Sequence, residues 1–233
     1  MHSLHFIFKM SAIFEDHNIF LQLLNDFPTL QPILKKYNVN TSKIRILSSA
    51  GSHGIAFTDG YYIVKLTDDK EEAKASHKIA GQKIPGVVFI YYAGKFARET
   101  QYHDPEITNE KTQYYLIIQD LVDTKISQNE ANISTLVGNW LITRAKWPFN
   151  LEASIKDFYN YTYFQSHLNL ISPTNTTIIR SLLRSVQNLY NHGVKYMDVS
   201  GGNIGKDKNG ELVVFDLGVS ETHQPTIPIS SID

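Results

Sequence analysis

The sequence predicts an α+β protein in two parts, a β-rich first half and a mostly helical second half. Three observations carry this expectation. Short apolar runs cluster between residues 44 and 119, Asp59-Gly60 separates two of them as a tight-hairpin signal, and from about Glu130 the apolar residues recur at helical spacing.

Residues 13–37 read as helix, because Ile13, Phe14, Ile19, Phe20, Leu23 and Leu24 recur at helical spacing. Pro28 lacks an N–H and crowds the preceding turn, so it splits this run in two. Past Asn38 the pattern shortens to strands at Ile44–Leu47, Ile55–Thr58 and Tyr61–Thr67, and Gly60 supplies the positive φ that the hairpin turn requires. A helix follows from Asp68-Asp69 to about Ala80, with acids near the positive end of its dipole and Gly81 as its terminator. Two more strands are expected near Val87–Tyr92 and Tyr114–Gln119, and the polar link between them, including Gln101–Gln113, reads as an exposed loop.

In the second half, Thr176–His192 carries the widest apolar stripe, through Ile179, Leu182, Leu183, Val186 and Leu189, and Gly193 stops it. A short β pair near Asn203–Gly205 and Leu212–Phe215 closes around Lys208-Asn209-Gly210. The expected organisation is a helical extension over 1–42, a β-rich part over 43–122 and a helical part over 123–233. A cleft between two such lobes is the expected ligand site.

Bulk properties remove several functions. A hydrophobic content of 42% with 19% charged residues describes a globular chain rather than a disordered one. The formal net charge of −1 gives no basis for general nucleic-acid or anionic-membrane affinity, so neither partner is expected. Absence of cysteine removes disulfides and thiolate metal sites and fits a reducing compartment. No apolar run approaches the roughly 20 residues of a membrane helix, and the expected location is cytoplasmic, or a host cytoplasm for a phage or effector protein. The nine histidines are scattered, with His2 and His5 the one close pair, so no metal cluster is expected from them.

The chemistry concentrates in Asp198-Val-Ser-Gly-Gly-Asn203 and in Asp216-Leu-Gly218. Asp198 can orient or deprotonate a hydroxyl, while Asn203 and Asp216 can offer oxygens to magnesium. These are the positioning and charge-neutralising groups on which phosphoryl transfer depends. Upstream, Ser49-Ala-Gly51-Ser52-His-Gly54 contains glycines that permit close backbone approach to phosphates. Lys65 follows apolar neighbours on a strand, where an unpaired ammonium would be costly to bury.

Taken in order, these segments resemble the protein-kinase-like superfamily, over about residues 43–220. Ser49–Ala56 stands in the place of its glycine-rich loop, Tyr62-Ile-Val-Lys65 in that of its lysine-bearing third strand, and Tyr115–Val122 in that of the strand entering the hinge. Asp198 and Asn203 match the catalytic-loop acid and amide in spacing, and Asp216-Leu-Gly218 stands for Asp-Phe-Gly. The resemblance implies a two-lobed fold, with a small antiparallel sheet in the N-lobe and a truncated, mainly helical C-lobe. It implies ATP and Mg²⁺ as cofactors. Ser49, Gly51, Ser52, Gly54 and Lys65 would hold the nucleotide, with Gln119 and Leu121 bonding the adenine through their backbones. Asp198, Lys65 and Asn203 would be catalytic, and Asn203 and Asp216 would hold the metal. The partner of Lys65 would be Glu71 or Glu72, of which Glu72 shares a helical face with Ser76 and Ile79.

Departures from the family pattern refine the expectation. Ser49 and Ala56 replace a usual glycine and valine, Tyr196 replaces the catalytic-loop histidine, and Met197 replaces the arginine that would pair with an activation-loop phosphate. Ser200 stands where Ser/Thr-specific members place a phosphate-contacting lysine. Fifteen residues follow Gly218, without an Ala-Pro-Glu segment, which points to a compact kinase similar to those of bacteria, their effectors and bacteriophages. The expected activity is a Ser/Thr-type protein kinase with a protein substrate. The alternatives are a pseudokinase-like nucleotide-binding interaction module and a small-molecule phosphotransferase of the aminoglycoside type.

Overall fold

The short apolar runs of the first half form β1 (Arg45–Gly51), β2 (Gly54–Thr58), β3 (Tyr62–Thr67), β4 (Ile90–Glu99) and β5 (Thr112–Asp120). In the computed structural model, which describes residues 16–51, 54–99, 112–161 and 172–225, they make one antiparallel sheet in the order β1-β2-β3-β5-β4. The chain is thus α+β, with this sheet and six α-helices among the described residues. No helix among those residues is long and apolar enough to cross a membrane.

The chain divides into two compact units. Described residues up to Gly81, together with Ile90–Leu121, form the first. Its hairpin turn is built as the sequence predicts: Gly60 has φ +95°, and Asp59 Oδ1 accepts the N–H groups of Tyr61 and Tyr62 at 2.9 Å. Asp59 Oδ2 also accepts the N–H of Asn40 at 2.8 Å, tying the N-terminal helices to the sheet. Those helices are α1 (Asp16–Asp26) and α2 (Leu30–Lys36), with Pro28 between them; Ile13 and Phe14 lie outside the described residues. Phe20, Leu23, Leu30 and Leu34 pack with Phe57, Val64, Leu66, Leu116 and Ile118 in one buried cluster. The helical extension expected over 1–42 covers, where described, one face of the sheet. Each large side chain so buried contributes about 1.5–3 kcal/mol.

Strand alternation sends Val64 and Leu66 into that cluster, so Lys65 faces the other side. There lies α3 (Lys70–Ile79), packed on β4 and β5. Asp69 starts it by accepting the N–H groups of Glu71 and Glu72, and Gly81 follows its end at φ +80°.

Residues Gln82–Phe89 and the described residues from Val122 onward form the second unit. It contains α4 (Gln128–Thr143), α5 (Leu151–Asn160), α6 (Pro173–Asn191), β6 (Val194–Tyr196), β7 (Ile204–Lys206), β8 (Leu212–Val214) and β9 (Ser220–Thr222). Trp140, Phe158, Ile179, Leu183 and Val186 are buried in it. Ser127 and Glu130 make a reciprocal capping box at the start of α4, and Ser172 with Pro173 opens α6.

Three expectations change. The strand expected at Val87–Tyr92 begins only at Ile90, while Val88 N–H donates to Val214 O and Val87 bridges Val214 in the second unit. An apolar run shows that residues are buried, not which strand they join. Gln113, expected in a loop, belongs to β5, and residues 101–111 lie outside the described ones. The pairing of β6 with β9, Val194 opposite Thr222, was not anticipated. Strands of three residues are too short to display a period.

Candidate functional site

In the first unit, Lys65 Nζ donates to Glu72 Oε1 at 2.7 Å, with the Glu72 side chain 4% exposed and that of Lys65 18%. Glu72 is thereby the partner. Glu71 points outward and pairs with Lys74 at 2.8 Å, both half exposed. The choice follows from helix phase, because Glu72 shares the inner face with the buried Ser76 and Ile79. An ion pair so far removed from water is costly to break by removing one partner.

The glycine-bearing turn is only partly described. Gly51 pairs with Gly54 across the β1–β2 hairpin, Ser49 lies in β1, and Ser52 and His53 fall outside the described residues. Gly54 has a purely structural reason to be glycine: a Cβ there would stand 2.5 Å from Leu66 O. At the end of β5, Gln119 is flanked by Ile63 on one side and Ile90 on the other. Leu121 N–H donates to Tyr61 O at 3.2 Å. Within this stretch, the Leu121 N–H is therefore engaged by the sheet's own hairpin. Beside it, Asp120 Oδ1 accepts the Tyr91 hydroxyl at 2.8 Å, and burial together with this carboxylate pushes the Tyr91 phenol up to about 12.

In the second unit the acid, amide and second acid are brought together by backbone register. The β7–β8 hairpin pairs Ile204 with Val214, and one step further Phe215 N–H donates to Asn203 O at 2.9 Å. Asp216 follows at once, so the thirteen-residue interval is the length of this hairpin. Its turn is set by Asp207, which accepts the N–H groups of Glu211 and Asn209; burial works against the charged form, but these bonds outweigh it and hold the carboxyl below its usual range. Gly210 takes φ +80° there.

Asn203 Nδ2 donates to Asp198 Oδ2 at 2.7 Å and lies 3.1 Å from Asp198 O. With the amide nitrogen so engaged, Asn203 Oδ1 is the atom left for a cation. Asp216 occupies the left-handed region at φ +55°, a conformation that aspartate tolerates better than most residues yet that still costs roughly 1 kcal/mol.

Two features of this cluster escaped the sequence reading. The buried Tyr196 donates its hydroxyl to Asp198 O at 2.6 Å, with Phe215 O at 3.4 Å. It connects the backbone at Asp198 to the residue before Asp216. The loop also rests on α4, where a Cβ at Gly138 would lie 2.5 Å from Val199 O and one at Gly201 would lie 3.1 Å from Ala131 Cβ. A lone glycine inside a helical pattern was the available signal for this close approach. Lys206 on β7 reaches Glu130 at 3.2 Å, fastening the hairpin to the N-terminus of α4. Burial would raise the Glu130 carboxyl, but the Ser127 hydrogen bonds and the Lys206 ammonium hold it below the usual range.

His192, considered in the sequence as a helix-end residue, donates from Nδ1 to Asn188 O at 2.7 Å. Among the described residues no three His, Cys, Asp or Glu side chains gather as a self-sufficient metal site. Asn203 and Asp216 are the oxygen-bearing residues that the resemblance would assign to magnesium, an ion that usually keeps water and substrate phosphate in its shell. No protein-family model matches the chain, and no curated protein matches it at a significant level.

Proposed function

We propose that the protein is an ATP- and Mg²⁺-dependent phosphotransferase acting on a protein hydroxyl, of the Ser/Thr kinase type. The observation that carries this reading is the cluster in the second unit. Asn203 is bonded through its side chain to Asp198 and through its carbonyl to Phe215, so acid, amide and second acid form one assembly. Asp198 keeps its second carboxylate oxygen for an incoming hydroxyl, which it orients and relieves of its proton. Asn203 Oδ1 and the Asp216 carboxylate would hold a magnesium ion, which would supply the charge that neutralises phosphate oxygens. Lys65, oriented by Glu72, gives the nucleotide phosphates a cation whose position is already fixed.

Transfer of labelled γ-phosphate to the protein itself or to a cell lysate tests the reading. Asp216→Ala is expected to remove at least ~99% of it, in keeping with the loss of a metal ligand. Equal labelling by wild type and variant would refute the proposal. Tyr196, in the place of the catalytic-loop histidine and bonded to Asp198 O, favours a second reading, an interaction module that binds nucleotide without using it. A rise in Tm with Mg·ATP and no labelled product would select that alternative.

A further inference from the structure

Away from the acid–amide–acid cluster, the second unit holds a cavity of about 580 Å³ between the 82–89 segment, α6 and the start of β8. Its walls are fixed by hydrogen bonds. Asn188 Nδ2 donates to Pro85 O, Val214 N–H to Gly86 O, and Val88 N–H to Val214 O, all at 2.9 Å. Gly86, at φ +77°, lies so close to Ser185 that a side chain there would collide with it. The concavity therefore belongs to the fold rather than to a loose loop.

Pro85, Ile178 and Leu212 supply an apolar floor, and Arg180 and Arg184, one turn apart on α6, supply two guanidinium groups. Arg180 Nη1 stands 4.0 Å from Glu152 Oε1, an exposed pair that contributes little, and Arg184 has no ion pair among the described residues. On the lining itself two arginines face one carboxylate, Glu211, while Glu152 lies outside it. Arginine forks match carboxylates in bidentate geometry, and an apolar floor accepts an aliphatic side chain between them. Nucleic acid would need more phosphate contacts than two arginines can make.

We propose that this groove docks an acidic segment of a partner protein, an extended peptide carrying an aliphatic residue between carboxylates. The site is independent of phosphoryl transfer, and its occupancy is read without nucleotide. The experiment is a fluorescence-anisotropy titration of the full chain into a fluorescein-labelled peptide of alternating glutamate and leucine. A lysine–leucine counterpart and an oligothymidylate serve as competing chemistries. Saturable binding of the acidic peptide is expected, weakened about tenfold or more by Arg180→Glu with Arg184→Glu and reduced by added salt. Ser181→Trp, which fills the cavity without changing its charge, is expected to weaken it similarly. All variants should retain the wild-type melting curve, because Arg180 and Arg184 are exposed and Ser181 lines open space. The proposal is overturned if the acidic peptide fails to bind, if the double charge reversal leaves Kd unchanged, or if the lysine peptide or the oligonucleotide binds as tightly.

Discussion

The two units hold their functional side chains by different physics. In the first, Lys65 on β3 and Glu72 on α3 are joined as an ion pair largely withdrawn from water. In the second, Asp198 and Asp216 carry like charges, and the Asn203 amide bonds the Asp198 carboxylate without an opposite charge to draw the acids together. Backbone does it instead: the hairpin register, the carbonyl of Asp198 bonded by Tyr196 and by Ser200 N–H, and a helix glycine that admits the loop. The contrast teaches that a charged pair can organise itself, whereas an acid cluster needs a scaffold that disregards its charge.

Breaking the pair should have the largest effect. Glu72→Ala leaves the Lys65 ammonium largely enclosed, and a loss of about 3 kcal/mol is expected from denaturant unfolding. Lys65→Met combined with Glu72→Leu should recover most of that stability, since apolar replacement of both partners is often neutral, while abolishing phosphate labelling. If the single and double variants are equally unstable, the pair is not what organises this face.

The matching change in the second unit is Gly138→Ala. The added Cβ meets backbone, Val199 O at 2.5 Å, which cannot swing away as a side chain could. A loss of about 2 kcal/mol is expected despite the better helix propensity of alanine, together with reduced labelling as the Asp198 loop is displaced. A variant more stable than wild type would mean that the loop does not rest on α4.

The smallest effect concerns Glu130, which joins the α4 cap to the hairpin through Lys206. Its carboxyl is held low in the folded state, so its contribution is complete above the ordinary glutamate value of about 4.3 and fades as pH falls through the lower folded value. Wild type should thus lose stability on acidification below about pH 4 more steeply than Glu130→Gln, which should be weaker by up to about 1 kcal/mol at neutral pH. Parallel pH profiles would show that the cap and the Lys206 contact are not coupled to folding.

Much of the frame was legible because it is local. Asp59-Gly60 and Asp69 act on residues within three positions, and the stripe of α6 follows from side chains one or two turns apart. The Asp198-to-Asn203 interval was legible as well, since a tight loop leaves five residues few alternatives. Less could be read where partners are distant. Val87 and Val88 looked like strand, yet only Val214, more than a hundred residues on, decides where they bond. Gly54 looked like a phosphate-loop residue, and its nearest constraint proved to be the carbonyl of Leu66.

By itself, then, the sequence determined the α+β division, the order of the chemistry-bearing residues and their spacings, because turns, caps and periodicity are short-range. Tertiary structure decided which glutamate meets Lys65, what Tyr196 holds, and that Leu121 spends its N–H within its own unit. These outcomes depend on helix phase and on which backbone groups remain unpaired once the sheet is formed. Such quantities belong to the packed chain and to no single segment of it.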